Sequence, residues 1–198
     1  MEPADLKATL RASIRKARLH RSERGRIDAA RKMRTHVLAL PGSAEFTCVS
    51  VYASRPHEPG TLPLIDALHK RGATVLIPSL GDGLERGWIV YRDSKDLVER
   101  APGRPPEPSG EFLPFEALAD AQLVVTPALA VDSAGTRLGQ GGGWYDRALL
   151  QVNPQAVVVT MVYDNELYDA QHNPLPREPH DIPVGLAITP SQVVALGE

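Results

Sequence analysis

Residues 122–147, QLVVTPALAVDSAGTRLGQGGGWYDR, decide the fold. The stretch starts as an apolar run to Val131 and ends in Gly139, Gly141, Gly142 and Gly143, followed at once by Trp144-Tyr145-Asp146-Arg147. A near-continuous apolar run reads as a strand covered on both faces, as in a parallel sheet. Glycines allow positive φ and close approach of a ligand to the backbone. A glycine-rich turn that opens into a helix, here predicted over 143–151, presents unpaired N–H groups and the positive end of the helix dipole, which suits phosphate. Asp146 adds a carboxylate where Mg²⁺ can bridge protein and phosphate. Two common phosphate loops are excluded. No Lys-Ser/Thr pair follows the glycines, and the third glycine falls one position early for GxGxxG.

Outward from this stretch, strands are predicted over 47–53, 74–79, 122–131, 156–163 and 184–189, with a shorter edge strand over 88–92. A helix over 61–71 has Thr61 as its N-cap. Residues 5–20 read as an amphipathic helix with Leu6, Leu10, Ile14 and Ala17 on its core face and Lys7, Arg11 and Arg15 stacked on the neighbouring face. A second helix over 22–39 starts at Ser22 and is ended by Pro41-Gly42. The proline-rich segment 101–116 is a long irregular loop, a functional one or a cover over a site. The sum is an α/β fold: a single domain over 1–198 with a mostly parallel central sheet flanked by helices and an N-terminal helical pair. Ligands of open α/β sheets bind beyond the carboxyl ends of the strands. Polar clusters follow three predicted strands there, at 54–60, 137–147 and 164–181.

The 198 residues carry a net charge of −2, unevenly spread. Residues 1–36 hold 11 basic and four acidic side chains, a balance of +7 against −9 for the rest. Such an arm suits nucleic acid, an anionic small ligand, or docking on an acidic body. The single Cys48 excludes an intrachain disulfide and reads as a buried inert thiol. No secretory signal and no run of 18 apolar residues is present, so a cytoplasmic, non-membrane protein is expected.

The order of these pieces closely resembles the 5-formyltetrahydrofolate cyclo-ligase (5,10-methenyltetrahydrofolate synthetase) family. They are the basic pair on the first helix, SRPHEPGT at 54–61, VTPALAVDSAGTRLGQGGGWYDRAL at 125–149 and LPREPHD at 175–181. The resemblance covers nearly the whole chain and is most specific from Pro127 to Leu149. It implies a single α/β domain and an ATP- and Mg²⁺-dependent conversion of 5-formyltetrahydrofolate to 5,10-methenyltetrahydrofolate, releasing ADP and phosphate through a phosphorylated formyl intermediate and without a protein nucleophile. By resemblance, Lys7 and Arg11 are a basic pair on the ATP phosphates, and Arg11 also touches folate. Arg137, Leu138, Gly139, Gln140, Gly141, Gly142, Gly143, Trp144 and Tyr145 match the ATP-binding loop, in which Gln140 to Trp144 also line the folate. Glu58 matches a folate-contacting carboxylate, and Asp146 and Asp181 match Mg²⁺ ligands.

The chain departs from the family pattern in places. Trp144 stands where Tyr is usual, and keeps an aromatic face. Val131 stands where Phe is usual, which is expected to enlarge the folate pocket. Gly185 replaces a frequent Asp, and Asn165-Glu166 falls where a Gln is common.

Other residues have plainer readings. Arg15 and Arg18 read as solvated helix surface, Arg147 as the partner of a carboxylate, and His57 as a solvated loop residue. His180 orients Asp181 or caps a turn, Asp132 closes a turn, and Trp88 belongs to the core. The competing functions are a non-catalytic nucleotide- or folate-binding family member, an RNA binder using the basic arm, and a sugar-phosphate isomerase. The acidic body weighs against broad nucleic-acid binding. Small-molecule partners and a monomer are expected.

Overall fold

The computed structural model describes residues 3–81, 83 and 85–197, so Glu2, counted in the charge of the basic arm, lies outside the described residues. In chain order the elements are α1 (Pro3–Leu19), α2 (Glu23–Leu38), β1 (Cys48–Val51), α3 (Leu62–Lys70), β2 (Thr74–Leu80), β3 (Arg86–Val90), β4 (Leu113–Pro114) and β5 (Leu123–Pro127). They continue with β6 (Ala130–Asp132), β7 (Arg137–Leu138), α4 (Trp144–Ala148), β8 (Val157–Met161), β9 (Leu167–Tyr168), β10 (Leu186–Ile188) and β11 (Val193–Ala195).

The apolar runs pair as the sequence predicts. The large sheet has the order β11-β10-β8-β5-β1-β2-β3-β4. Its five strands from β10 to β2 are parallel, and β11, β3 and β4 join antiparallel at the two sides. The parallel strands are buried throughout their centres, Val49, Val51, Val75, Leu123, Val125 and Val159 among them. Helix α2 sets Met33 and Val37 into the same core as Leu64, Ile65 and Leu68 of α3. Trp88 is fully buried there, as expected.

Four details differ from the sequence reading, each for a local reason. The run 122–131 is two strands in two sheets. Pro127 has no N–H to continue the ladder, and beyond it Leu129 N donates to Leu138 O (2.8 Å). The chain thereby leaves the large sheet for a small one of order β7-β6-β9. Strand β3 is not an edge, because β4, a two-residue strand inside the proline-rich loop, pairs outside it. The helix expected over 143–151 is one α-turn, α4, continued by a 3₁₀ turn at Leu149–Gln151. Thr61 holds the N-cap position of α3, but its side chain makes no capping bond. Its hydroxyl donates to Tyr52 O (2.6 Å) and accepts from Ser54 N (3.1 Å), while Ser22 does cap α2 by accepting from Gly25 N (3.1 Å). Cys48 is half-buried, and that burial, with the nearby Asp120 charge, raises its thiol pKa and keeps it unreactive.

Helix α1 keeps only part of its expected core face: Ile14 is buried and Leu10 packs beside it, but Leu6 and Ala17 are not buried. Leu6 is 41% exposed and Ala17 is exposed, whereas Lys7, Ile14 and Arg18 are buried. Ile14 packs with Leu129, Ala130 and Leu138 of the small sheet. The charges on either side of it are buried because the body supplies acidic partners. Arg18, read as solvated, forks onto Glu166 with Nε–Oε1 at 2.9 Å and Nη2–Oε2 at 2.8 Å, and donates to Ala128 O (2.7 Å). Both side chains are almost fully buried. Removing one partner of a buried pair strands the other charge, so Arg18→Met is expected to cost about 3–5 kcal/mol of unfolding free energy. Arg18→Met with Glu166→Gln should recover part of that loss in chemical denaturation. A single variant as stable as the parent would show that this pair does not anchor α1. Among the described residues no helix is long and apolar enough to cross a membrane.

Candidate active site

Beyond the carboxyl ends of β1, β2 and β5 lies a cavity of about 440 Å³. Every residue singled out above for nucleotide, folate or metal lines it: Lys7, Arg11, Glu58, the run Arg137–Asp146, and Asp181. Their convergence follows from the topology. The turn after β1 brings Glu58, the small sheet delivers the glycine-rich loop, and the segment before β10 brings Asp181. Helix α1 closes over them with its basic face inward.

Lys7 is 4% exposed and bridges Asp181 Oδ2 (2.6 Å) and Glu178 Oε2 (2.7 Å). Burial opposes the charge on Lys7, but its bonds to Asp181 and Glu178 outweigh that and raise its pKa. Burial also opposes ionisation of Asp181. The bond from Lys7, the Glu178 N–H and the charges of Lys7 and His180 outweigh it and lower the pKa of the carboxyl. His180 Nε2 lies 3.8 Å from Asp181 Oδ1, beyond hydrogen-bond reach, and Asp181 is oriented instead by Lys7 and by Glu178 N (2.7 Å). Arg11 Nε donates to Gly139 O (2.9 Å) and so ties α1 to the loop. Arg15, read as solvated surface, donates to Gln140 O (3.0 Å) and Oε1 (2.9 Å), and Gln140 Nε2 donates to Glu58 Oε1 (2.8 Å). Arg137 Nη2 bonds Asp146 Oδ1 (2.8 Å).

The loop itself needs glycine at two points. Gly141 has φ +105°, with Arg11 against the face where a side chain would project, and Gly143 has φ +61° as the residue that opens α4. Both conformations are strained for residues with a Cβ. With α4 only five residues long, the helix dipole is a smaller contributor here than the loop amides and the cations of α1.

Three buried polar atoms of the loop lack partners among the described residues: Arg137 Nε, Trp144 Nε1 and Tyr145 Oη. Buried donors are nearly always satisfied, so their orphaning in a cavity wall marks a place for a polar ligand. Burial holds the Tyr145 phenol strongly protonated, leaving it a donor. Trp144 stacks edge-on against Trp88 (6.1 Å) and Phe115 (5.7 Å), which fixes its ring.

Some residues sit elsewhere than the sequence suggested. Arg147 donates to Gly143 O (3.1 Å) and pairs with no carboxylate among the described residues, because the next turn of α4 puts its own loop carbonyl nearest. His57 is only partly solvated. It is half-buried at φ +70° with a buried Nδ1. Asp132 closes its turn, accepting from Thr136 N (2.8 Å) and Leu175 N (3.0 Å). Val131 does not enlarge the cavity, since it is fully buried with Ala128, Val162 and Val184 in a separate cluster. Gly185 is exposed and also away from the cavity. Glu166 serves Arg18, and Asn165 accepts from Arg21. Sequence reasoning missed Glu178, Glu107 and Ser79, which also line the cavity. Glu178 could have been found from its place in PREPHD, three residues before Asp181. The proline-rich loop does reach the site, through Pro105 and Glu107.

Glu178, His180 and Asp181 each offer a ligand atom within 4.8 Å of the others. Asp146 lines the same cavity, and Asp146 and Asp181 each already hold a side-chain cation, Arg137 and Lys7. Oxygen donors of this kind, positioned to neutralise positive charge, fit a hard divalent ion such as Mg²⁺.

Comparison with known proteins agrees with the geometry. The 5-formyltetrahydrofolate cyclo-ligase family pattern matches residues 3–190. The chain is 35% identical to a 5-formyltetrahydrofolate cyclo-ligase of Mycolicibacterium smegmatis, over 96% of this chain and 97% of that protein. It is 31% identical to the Escherichia coli K12 protein of the same name, over 80% and 86% of the two chains. The solved structure of Aquifex aeolicus 5,10-methenyltetrahydrofolate synthetase superposes with a TM-score of 0.80 at 28% identity, covering 98% of this chain and 94% of that one. Matched along nearly its whole length in sequence and in fold, the chain belongs to the 5-formyltetrahydrofolate cyclo-ligase family.

Proposed function

We propose that residues 1–198 form one catalytic domain that converts 5-formyltetrahydrofolate to 5,10-methenyltetrahydrofolate, with ATP consumed as co-substrate, Mg²⁺ required as cofactor, and ADP and phosphate released. The observation that carries this reading is the meeting, in one cavity, of the α1 cations Lys7 and Arg11 with Asp146 and Asp181 across the glycine-rich loop.

A triphosphate needs countercharge and alignment more than it needs covalent help. Lys7 is a compact ammonium able to leave Asp181 and Glu178 for phosphate oxygens. The guanidinium of Arg11, held through Nε by Gly139 O, keeps its Nη donors for phosphate oxygens. The amides of Gly139 to Gly143 and the orphaned Arg137 Nε and Tyr145 Oη add donors. Mg²⁺, held by Asp146 and Asp181, would supply charge neutralisation on the phosphoryl oxygens.

Aligned in this way, the formyl oxygen attacks the γ-phosphorus and ADP departs, leaving a phosphorylated imidate. Nitrogen 10 then attacks the former formyl carbon and loses its proton, and the ring closes as phosphate leaves with the formyl oxygen. Glu58 and Gln140 hold the folate beside the phosphates, and Trp144 gives a flat wall for a ring. Each step is a displacement between bound substrates, so no protein nucleophile is required.

The test is direct. Purified protein with 5-formyltetrahydrofolate, ATP and Mg²⁺ is expected to develop the absorbance band of the methenyl product, one ADP appearing per product. Omission of ATP should abolish it. Product formed equally well without ATP would overturn the reading.

A further inference from the structure

Besides Asp146, Asp181 and Glu178, the carboxylates of Glu58 and Glu107 line the cavity, and their bonding differs. Glu58 already accepts from protein donors through both oxygens. Its Oε1 accepts from Gln140 Nε2 (2.8 Å) and Arg55 Nη2 (3.3 Å), and its Oε2 from Arg55 N (2.9 Å). Glu107 is only 4% exposed. Its Oε2 accepts from the Ser79 hydroxyl and from Leu80 N (3.3 Å). Its Oε1 accepts no hydrogen bond among the described residues, and none of their cationic nitrogens lies within 4.0 Å of the carboxylate. A buried carboxylate is costly unless something hydrogen-bonds to it. Glu107 is tied to Ser79 and Leu80 at the β2 side of the cavity, which Pro78 and Pro105 also line, and Lys7 and Asp181 come from α1 and the approach to β10.

We propose that Glu107, a residue of the cavity wall, is a specificity-determining residue: its Oε1, which no described residue bonds, accepts the N–H donors of the 2-amino-4-oxopyrimidine edge of the folate. That edge offers an exocyclic amine beside a ring N–H, so every hydrogen it presents suits an acceptor-only group with two lone pairs. Adenine presents an amine beside a bare ring nitrogen, and a carboxylate there would face a lone pair. Glu107 therefore selects the pterin over the nucleotide base at the β2 side. Glu58 is left to hold Gln140 and the formamide region. Ser79 Oγ and Leu80 N position the Glu107 carboxylate. The inference rests on the cyclo-ligase reading and adds which group recognises the substrate ring.

Glu107→Gln keeps the size of the side chain and removes the charge and one acceptor. The expected result is a KM for 5-formyltetrahydrofolate raised roughly 10- to 100-fold, the range for loss of a hydrogen bond to a charged group. The KM for ATP and the melting temperature should hold. The parent enzyme should also discriminate against the 2-desamino analogue of 5-formyltetrahydrofolate by a similar factor, and Glu107→Gln should discriminate less. Ser79→Ala, which removes only the supporting bond, should lower stability more than it raises the folate KM. An unchanged folate KM in Glu107→Gln, an equal rise in both KM values, or a parent enzyme indifferent to the 2-amino group would each overturn the proposal. In those cases the parent still makes methenyl product. A parent enzyme that makes none would instead overturn the cyclo-ligase reading.

Discussion

Asp146→Asn is expected to lower turnover by about a thousandfold while the protein stays folded. Asp146 lines the cavity beside the glycine-rich loop and holds Arg137 at 2.8 Å. Asparagine keeps the size and one oxygen, so Arg137 retains an acceptor there in addition to Pro127 O (3.3 Å). It cannot supply the negative charge that, on the proposed reading, would keep Mg²⁺ on the phosphates. Metal-borne charge stabilisation is worth several kcal/mol at a phosphoryl transition state, and about 4 kcal/mol corresponds to three powers of ten. Steady-state rates at saturating substrates check the loss, and near-ultraviolet circular dichroism checks the fold. Full activity in this variant would refute the metal assignment.

Lys7→Met should show a different signature, a loss confined to the nucleotide. The methionine keeps the apolar stem that α1 buries and removes the ammonium. kcat/KM for ATP is expected to fall roughly 10- to 150-fold, the value of one charge-assisted hydrogen bond. The folate KM should hold. Without Lys7, Asp181 and Glu178 face one another with no ammonium between them. Mg²⁺ alone should therefore raise the melting temperature of Lys7→Met more than that of the parent. An unchanged KM for ATP would place the triphosphate elsewhere. A smaller Mg²⁺ response than the parent's would mean that Asp181 and Glu178 do not favour a divalent ion.

What the sequence made legible was what is local. The glycine-rich loop could be read because its glycines, aromatic pair and Asp146 lie within a few residues and need no partner to be recognised. The parallel strands could be read because burial on both faces leaves apolar runs such as Val157–Met161. Features that depend on a distant partner could not be read in this way. Arg18 is a buried anchor only because Glu166, 148 positions away, folds against it. By residue type alone a helical arginine reads as surface, and Leu6 and Ala17 read as core. The split of residues 122–131 turns on what Leu129 N meets across a second sheet, which periodicity does not encode. Glu107 sits in a proline-rich loop without pattern, and its importance comes from burial against Ser79. The two-residue strands β4, β7 and β9 are too short to carry a period of two.

The path of one oxygen atom tests the central claim most directly. If phosphate is transferred to the formyl oxygen within this cavity, 5-formyltetrahydrofolate labelled with heavy oxygen in its formyl group must pass that label to inorganic phosphate. Mass spectrometry of the phosphate after a single turnover with MgATP is expected to find one labelled oxygen per methenyl product. Unlabelled phosphate with the label in water would mean that the formyl oxygen never met the triphosphate, and the account of the site would be wrong.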